Sequence, residues 1–172
     1  QTKKINTSQR VQRQYQKLFD DLKNPSEYHY DEKLAMRPIE FIERFCKHSK
    51  GEWAGKAVKL ELFQKAFINA LFGFVDAQNK RRYREAFFYV ARKNGKSTLL
   101  ACIALYCLIA DGESGAEIYS VATKKDQAAL IFNEAVNMVK QSADLRMNVK
   151  KRKSDLYFGL TFSVMKPLGK NS

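Results

Sequence analysis

The stretch Arg92-Lys93-Asn94-Gly95-Lys96-Ser97 sets cations, a glycine and a hydroxyl side by side. It follows a short apolar run, Ala86-Phe87-Phe88-Tyr89-Val90-Ala91, and leads into a segment, Ser97 to Ile109, that is apolar nearly all round. A loop so placed can hold a polyphosphate. The first turn of a helix offers N–H groups with no intrahelical acceptor, together with a partial positive charge. Gly95 lets the backbone wrap closely around an anion. Lys96 can reach β- and γ-phosphates, and Ser97 can offer its hydroxyl to Mg2+. The pattern GxxxxGK[ST] is met except at its first glycine, where Val90 stands. The plainer alternative makes Lys96, Ser97 and Thr98 ordinary helix-start residues. Arg92 and Lys93 add charge beside the expected phosphates. Arg92 reads either as a solvated loop residue or as an arginine finger supplied in cis, compensating charge in the transition state.

The elements around this loop must position it. The aromatic run predicts a buried strand of a parallel sheet, and Ser97 to Ile109 a helix buried on several sides. Asp111 to Gly115 reads as a turn and Ala116 to Ala122 as a second strand. Ala128, Ile131, Phe132, Ala135, Val136 and Val139 then mark an amphipathic helix. Strand–helix–strand–helix is the signature of an α/β fold with a doubly wound, mostly parallel sheet. Leu156-Tyr157-Phe158 and Leu160 to Val164 suggest a hairpin turning near Gly159. The chain before Glu85 reads as helical. Val11, Tyr15, Leu18, Phe19 and Leu22 share one face, and Asn24-Pro25-Ser26 ends the pattern. Pro38 suits a first helical turn, with Phe41, Ile42, Phe45 and Cys46 following and Lys50-Gly51 closing that helix. Leu60, Phe63, Phe67, Leu71 and Phe74 predict another apolar stripe, with Gly73 near its end.

Composition narrows the class. With 45% hydrophobic residues among 172, a folded core is available and wholesale disorder is excluded. The net charge of +13 suits a polyanionic partner such as nucleic acid, or a solvated basic surface. The cluster Lys150-Lys151-Arg152-Lys153 has the same two readings, a phosphate contact or a charged turn. Cys46, Cys102 and Cys107 form no CxxC pair and read as free thiols. His29 and His48 stand apart from any metal-ligand spacing. The longest apolar stretch is too short to span a bilayer, so no membrane is expected. The chain starts at Gln1 rather than Met and stops at Lys170-Asn171-Ser172, which suggests a missing start and no obvious domain terminus.

Val90 to Thr98 resembles the deviant Walker A of the large terminase subunits of tailed phages, a family that commonly lacks the first glycine and carries an arginine four positions before the lysine, as Arg92 stands to Lys96. Phe41 to Cys46, Leu60 to Gln64 and Leu71-Phe72-Gly73 are similar to the family's segment before this loop. Ser120 to Ala128 is similar to the segment after its second strand. The resemblance implies a P-loop NTPase fold, with residues 1–58 as an N-terminal helical segment and 59–172 as a partial ATPase domain. It implies ATP and Mg2+ as cofactors, held by Gln64, Ala91, Arg92, Lys93, Asn94, Gly95, Lys96, Ser97 and Thr98. Lys96 and Arg92 would be catalytic, Ser97 would contact the metal, and Gln64 would be the glutamine that reads adenine. Its amide can both donate and accept. Thr123 and Gln127, at the carboxyl edge of the sheet, read either as sensing DNA or nucleotide or, for Thr123, as a helix cap. Double-stranded DNA, a portal protein and a small terminase subunit are the implied partners. The implied setting is the host cytoplasm, with a ring assembled on the portal and a monomer away from it.

The family's Walker B strand, ending in Asp-Glu, and its nuclease domain have no counterpart after Ser97. Phe162 to Gly169 looks like the strand and turn before Walker B. The chain alone is expected to bind nucleotide and hydrolyse it poorly. Two rivals remain open at this point: a helicase- or restriction-type translocase, and a basic nucleic-acid scaffold with an accidental Gly-Lys-Ser. The N-terminal helices also read as a docking module for the portal or small subunit.

Overall fold

The computed structural model describes residues 8–170; the expectations about the two chain ends, at Gln1 and at Asn171-Ser172, lie outside them. The chain forms two compact units, residues 1–36 with 66–86 and residues 37–65 with 87–172.

The first unit begins with α1 (Gln9–Lys23), whose start is capped by the Ser8 hydroxyl accepting from Val11 N–H at 3.4 Å. The expected break follows it at Asn24. Its apolar stripe is real but only half covered, with Val11, Tyr15, Phe19 and Leu22 41–50% exposed. A two-residue antiparallel pair, β1 (His29–Tyr30) with β2 (Phe74–Val75), holds this unit together. Tyr30 and Phe74 meet across it with ring centroids 5.4 Å apart. The Asp21–Arg82 ion pair at 2.9 Å adds a second tie.

Two helices correct the sequence reading. Pro38 does not open its helix but lies inside α2 (Glu32–Phe45). The true start is set by Asp31, whose carboxylate accepts from Leu34 N–H at 2.9 Å, a cap that outranks a proline cue. Interior proline removes one N–H donor. Burial of Ile39 and Ile42, 2% and 0% exposed, offsets that loss. This helix ends at Phe45, before Lys50-Gly51; Gly51 instead begins a 3-10 turn, Gly51–Trp53. In α3 (Leu62–Gly73) the buried row is Gln64, Ile68 and Phe72, one residue along from the expected stripe, and Phe63 is 39% exposed. This helix is apolar on most sides, so the pattern alone does not say which row faces the core.

In the second unit, α4 (Lys96–Ile109) and α5 (Lys125–Gln141) pack beside a four-stranded sheet. The sheet order is β3 (Glu117–Lys124), β6 (Ser163–Lys170), β5 (Leu156–Phe158), β4 (Val149–Lys151). The pair β3–β6 is parallel and the other two pairs are antiparallel, so the sheet is mixed. A short α6 (Ala143–Asn148) links α5 to β4. The core gathers Leu99, Cys102, Leu105 and Leu108 of α4, Phe132, Ala135 and Met138 of α5, and Leu156 and Met165 of the sheet, all at most 5% exposed. Burial of each large side chain here is worth about 1.5–3 kcal/mol. The expected hairpin forms, Leu156 opposite Met165 and Phe158 opposite Ser163, but its turn takes in residues 159–162, so Leu160, Thr161 and Phe162 are turn rather than strand. Cys46 and Cys102 are buried, and Cys107 is half-buried.

The strand expected over Ala86 to Ala91 does not form among the described residues. A strand exists only in a ladder, and none of the described strands hydrogen-bonds to this segment. Its side chains alternate all the same. Phe88 and Val90 are half-covered, whereas Phe87 and Tyr89 are 92% and 90% exposed and stack on each other at 6.3 Å.

Candidate functional site

The loop after Val90 is built by two left-handed residues, Lys93 and Gly95, both at φ +68°. Such reversals turn successive N–H groups toward one side and make an anion-binding concavity. The Asn94 side chain braces the turn from within, donating from Nδ2 to the carbonyls of Ala91 at 3.2 Å and Arg92 at 3.3 Å. Gly95 caps α4 without any side-chain hydrogen bond. The first backbone bond of the helix runs from Leu99 N–H to Gly95 C=O at 2.8 Å. The N–H groups of Lys96, Ser97 and Thr98 therefore have no backbone acceptor among the described residues, and they crown a helix whose dipole favours an anion.

Ala91 to Ser97 are exposed, and Thr98 is half-buried. Neither Arg92 nor Lys96 enters an ion pair among the described residues. Both cations are thus uncommitted beside the open amides. Thr98 is turned away from the loop; its hydroxyl makes a long, 3.5 Å bond to Glu134 Oε1 of α5. Glu134 also lies 4.0 Å from Lys50 Nζ.

Gln64 comes to this loop from α3. It is 8% exposed. Its Oε1 accepts from Glu61 N–H at 3.0 Å, so the side chain reaches back over the start of its own helix as in the second half of a capping box. Its Nε2 faces the loop, 3.3 Å from the point where a β-carbon on Gly95 would stand. Sequence pattern places Gln64 beside an apolar stripe; the structure places it in the buried row and against the loop of Gly95.

Glu43 is a neighbour that sequence reading missed. One carboxylate oxygen accepts both Leu60 N–H at 3.0 Å and Lys65 Nζ at 2.9 Å. Burial pushes this carboxyl up, but the Lys65 and Leu60 hydrogen bonds, with the charges of Lys65 and Lys59, outweigh it and hold it below its usual range. No local signal announces Glu43, because its partners lie on another element.

Other expected residues lie elsewhere. Thr123 and Gln127 are exposed at the end of β3 and in the first turn of α5. Thr123 does not cap that helix: Lys124 holds the cap position, with no side-chain bond. In the basic cluster, Arg152 is tied to Asp155 at 2.6 and 2.9 Å and lies 4.3 Å from the Tyr157 ring centroid. Lys151 reaches the carbonyls of Arg152 and Lys153. Lys150 and Lys153 keep their side-chain cations outside any ion pair among the described residues.

The donor set suits a nucleotide with a divalent ion. Open amides and free cations match phosphate oxygens. Mg2+ usually takes few protein ligands and completes its shell with phosphates and water. The exposed Ser97 hydroxyl fits that role, and no group of three His, Cys, Asp or Glu side chains gathers among the described residues to form a protein cage.

Residues 62–172 match the family described as the terminase large subunit, ATPase domain. The chain belongs to that family. Over 111 residues it is 39% identical to the large terminase subunit of Enterobacteria phage HK97, covering 64% of this chain and 21% of that relative. It is also similar to the crystal structure of the HK97 bacteriophage large terminase, with a TM-score of 0.67 and 33% identity over 78% of this chain and 27% of that one. The chain therefore spans about a fifth of the length of the curated relative it matches. Membership of the terminase family fixes the fold class as a P-loop ATPase fold. No helix among the described residues is long and apolar enough to cross a membrane.

Proposed function

We propose that residues 59–172 bind Mg-ATP within the motor of a terminase large subunit, which in its complete form couples ATP hydrolysis to packaging of viral double-stranded DNA into a procapsid. The observation that carries this reading is the first turn of α4. Three backbone N–H groups stand open behind left-handed Gly95, with uncommitted Lys96 and Arg92 at hand. The amides of Lys96, Ser97 and Thr98 bind phosphate oxygens. Lys96 neutralises the transferred phosphoryl group, and Arg92 stabilises the charge that develops on it. Ser97 supplies a hydroxyl to Mg2+, which when bound screens the phosphate charge. Ala91, Lys93 and Asn94 shape the loop, and Gln64 reads the base edge with its amide.

The excess of 31 basic over 18 acidic residues supports an encounter with DNA. In this reading the partners are double-stranded DNA, a portal protein and a small terminase subunit. The chain acts in a ring on the portal, in the host cytoplasm. In this reading residues 1–58 are an N-terminal segment ahead of the ATPase part.

The test is Lys96→Ala in the complete protein, with ATP turnover as the readout. Loss of turnover by at least about a hundredfold is expected for removal of a group that stabilises transition-state charge. Turnover at the parental rate would show the loop assignment to be wrong.

A further inference from the structure

The turn that carries Gln64 is held at both flanks by a residue outside its own helix. The capping turn of α3 runs from Glu61 to Gln64, closed by the bond from Glu61 N–H to Gln64 Oε1 at 3.0 Å. Leu60 immediately precedes that turn and Lys65 immediately follows it. Glu43 of α2 binds both flanks through one oxygen, Leu60 N–H at 3.0 Å and Lys65 Nζ at 2.9 Å. Its own helix is anchored nearby by Ile42, 0% exposed; Cys46, just past the end of that helix, is also 0% exposed, and Leu60 is 8% exposed. With its carbonyl oxygen engaged, Gln64 presents Nε2 toward Gly95. The direction of that amide therefore depends on where the first turn of α3 sits.

We infer that Glu43 is a positioning residue for base recognition: it fixes the Leu60–Lys65 turn so that the Gln64 amide is held in one direction beside the loop of Gly95. The inference rests on the reading of Gln64 given above. A displacement of about 1 Å at a recognition group is enough to spoil it. Glu43 touches no nucleotide, so its loss should alter which base is preferred without altering the grip on phosphates.

The experiment measures binding of Mg-ATP, Mg-GTP and inorganic tripolyphosphate to this chain by calorimetry, for the parent, Gln64→Ala, Glu43→Ala and Glu43→Gln. The parent should prefer ATP to GTP. Gln64→Ala and Glu43→Ala should each reduce that preference roughly three- to tenfold, the loss of about one hydrogen bond. Tripolyphosphate affinity should stay within twofold, roughly the scatter expected of a change that spares the phosphate-binding groups. Glu43→Gln keeps an oxygen for Leu60 N–H and should retain most of the preference. A preference unchanged in Glu43→Ala but lost in Gln64→Ala would overturn the positioning role while leaving the base reading intact. A parent without preference, or Gln64→Ala that keeps it, would overturn the base reading itself and the inference with it. Parallel loss of tripolyphosphate affinity in Glu43→Ala would mark a merely structural role and also overturn it. Should Glu43→Ala fail to fold by circular dichroism, Glu43→Asp decides in the same way, because it keeps the charge but withdraws the acceptor by one methylene.

Discussion

The amide nitrogen of Gln64 and the bare Cα of Gly95 are fitted to each other: a β-carbon on Gly95 would stand 3.3 Å from Gln64 Nε2. The glycine is thus favoured by its φ of +68°, and a side chain there would also press on the Gln64 amide that faces it.

Gly95→Ala should therefore lose stability and ligand affinity together. A left-handed alanine costs roughly 1–2 kcal/mol. That corresponds to a fall in Tm of roughly 2–8 °C for a domain of this size. The new methyl group should also displace Gln64, and Mg-ATP binding should weaken. Thermal unfolding with and without Mg-ATP checks both, and an unchanged Tm shift on adding nucleotide would contradict the fit.

Gly169 meets a harder wall. A β-carbon there would stand 2.7 Å from Lys125 N and 2.8 Å from Lys125 Cα, both backbone atoms that no rotamer change can move. The position lets β6 run close past the turn from β3 into α5. Gly169→Ala should cost about 1–3 kcal/mol through forced backbone shifts. Denaturant unfolding measures it, and a midpoint equal to the parent would disprove the close approach.

The Arg152–Asp155 pair gives a pH signature. The Arg152 hydrogen bonds outweigh burial and hold the Asp155 carboxyl below its usual range, helped by the charges of Arg152, Lys166 and Lys151. A depressed folded pKa means stability that is present above the unfolded carboxylate pKa and lost as pH falls through the folded one. Asp155→Asn should therefore be less stable than the parent at neutral pH. The gap should narrow below about pH 4, as the parent's carboxylate takes up its proton. Tm measured across acid and neutral pH tests this, and a gap that widens on acidification would refute it.

The same pair divides the basic cluster. If this turn meets DNA, Lys150 and Lys153 are the cations at liberty to do so, whereas Arg152 is already committed to Asp155. Lys150→Ala with Lys153→Ala should lower the slope of log affinity against log salt by about 0.9 for each phosphate that is no longer neutralised. Arg152→Ala should leave that slope nearly unchanged while reducing stability. Filter binding of duplex DNA over a salt series distinguishes the two.

The parts of the fold that could be read in advance are those governed by local pattern. The all-round apolar segment became α4, the alternating Ala116–Ala122 run became most of β3, and Phe132, Ala135 and Val139 line the buried face of α5. What escaped depends on residues far away in the chain. The start of α2 hinged on Asp31 as a cap, and the buried row of α3 on what packs against it. Ala86–Ala91 looks like a strand because it is apolar and aromatic, yet composition cannot provide a ladder partner. At the candidate site, Lys96, Ser97 and Gly95 could be singled out from type and spacing. Gln64 was visible only through family resemblance, and Glu43 had no signal, since its value lies in bridging two flanks of a turn on another element.

The stacked rings of Phe87 and Tyr89 carry a practical burden. They form an exposed aromatic patch in an apolar, β-prone segment, the kind of sequence that recruits other chains into β-type aggregates. The chain handled by itself should cloud as its concentration and temperature rise, in spite of a net charge of +13. Light scattering should fall when Phe87 is replaced by lysine, a charge that acts as a gatekeeper against such pairing.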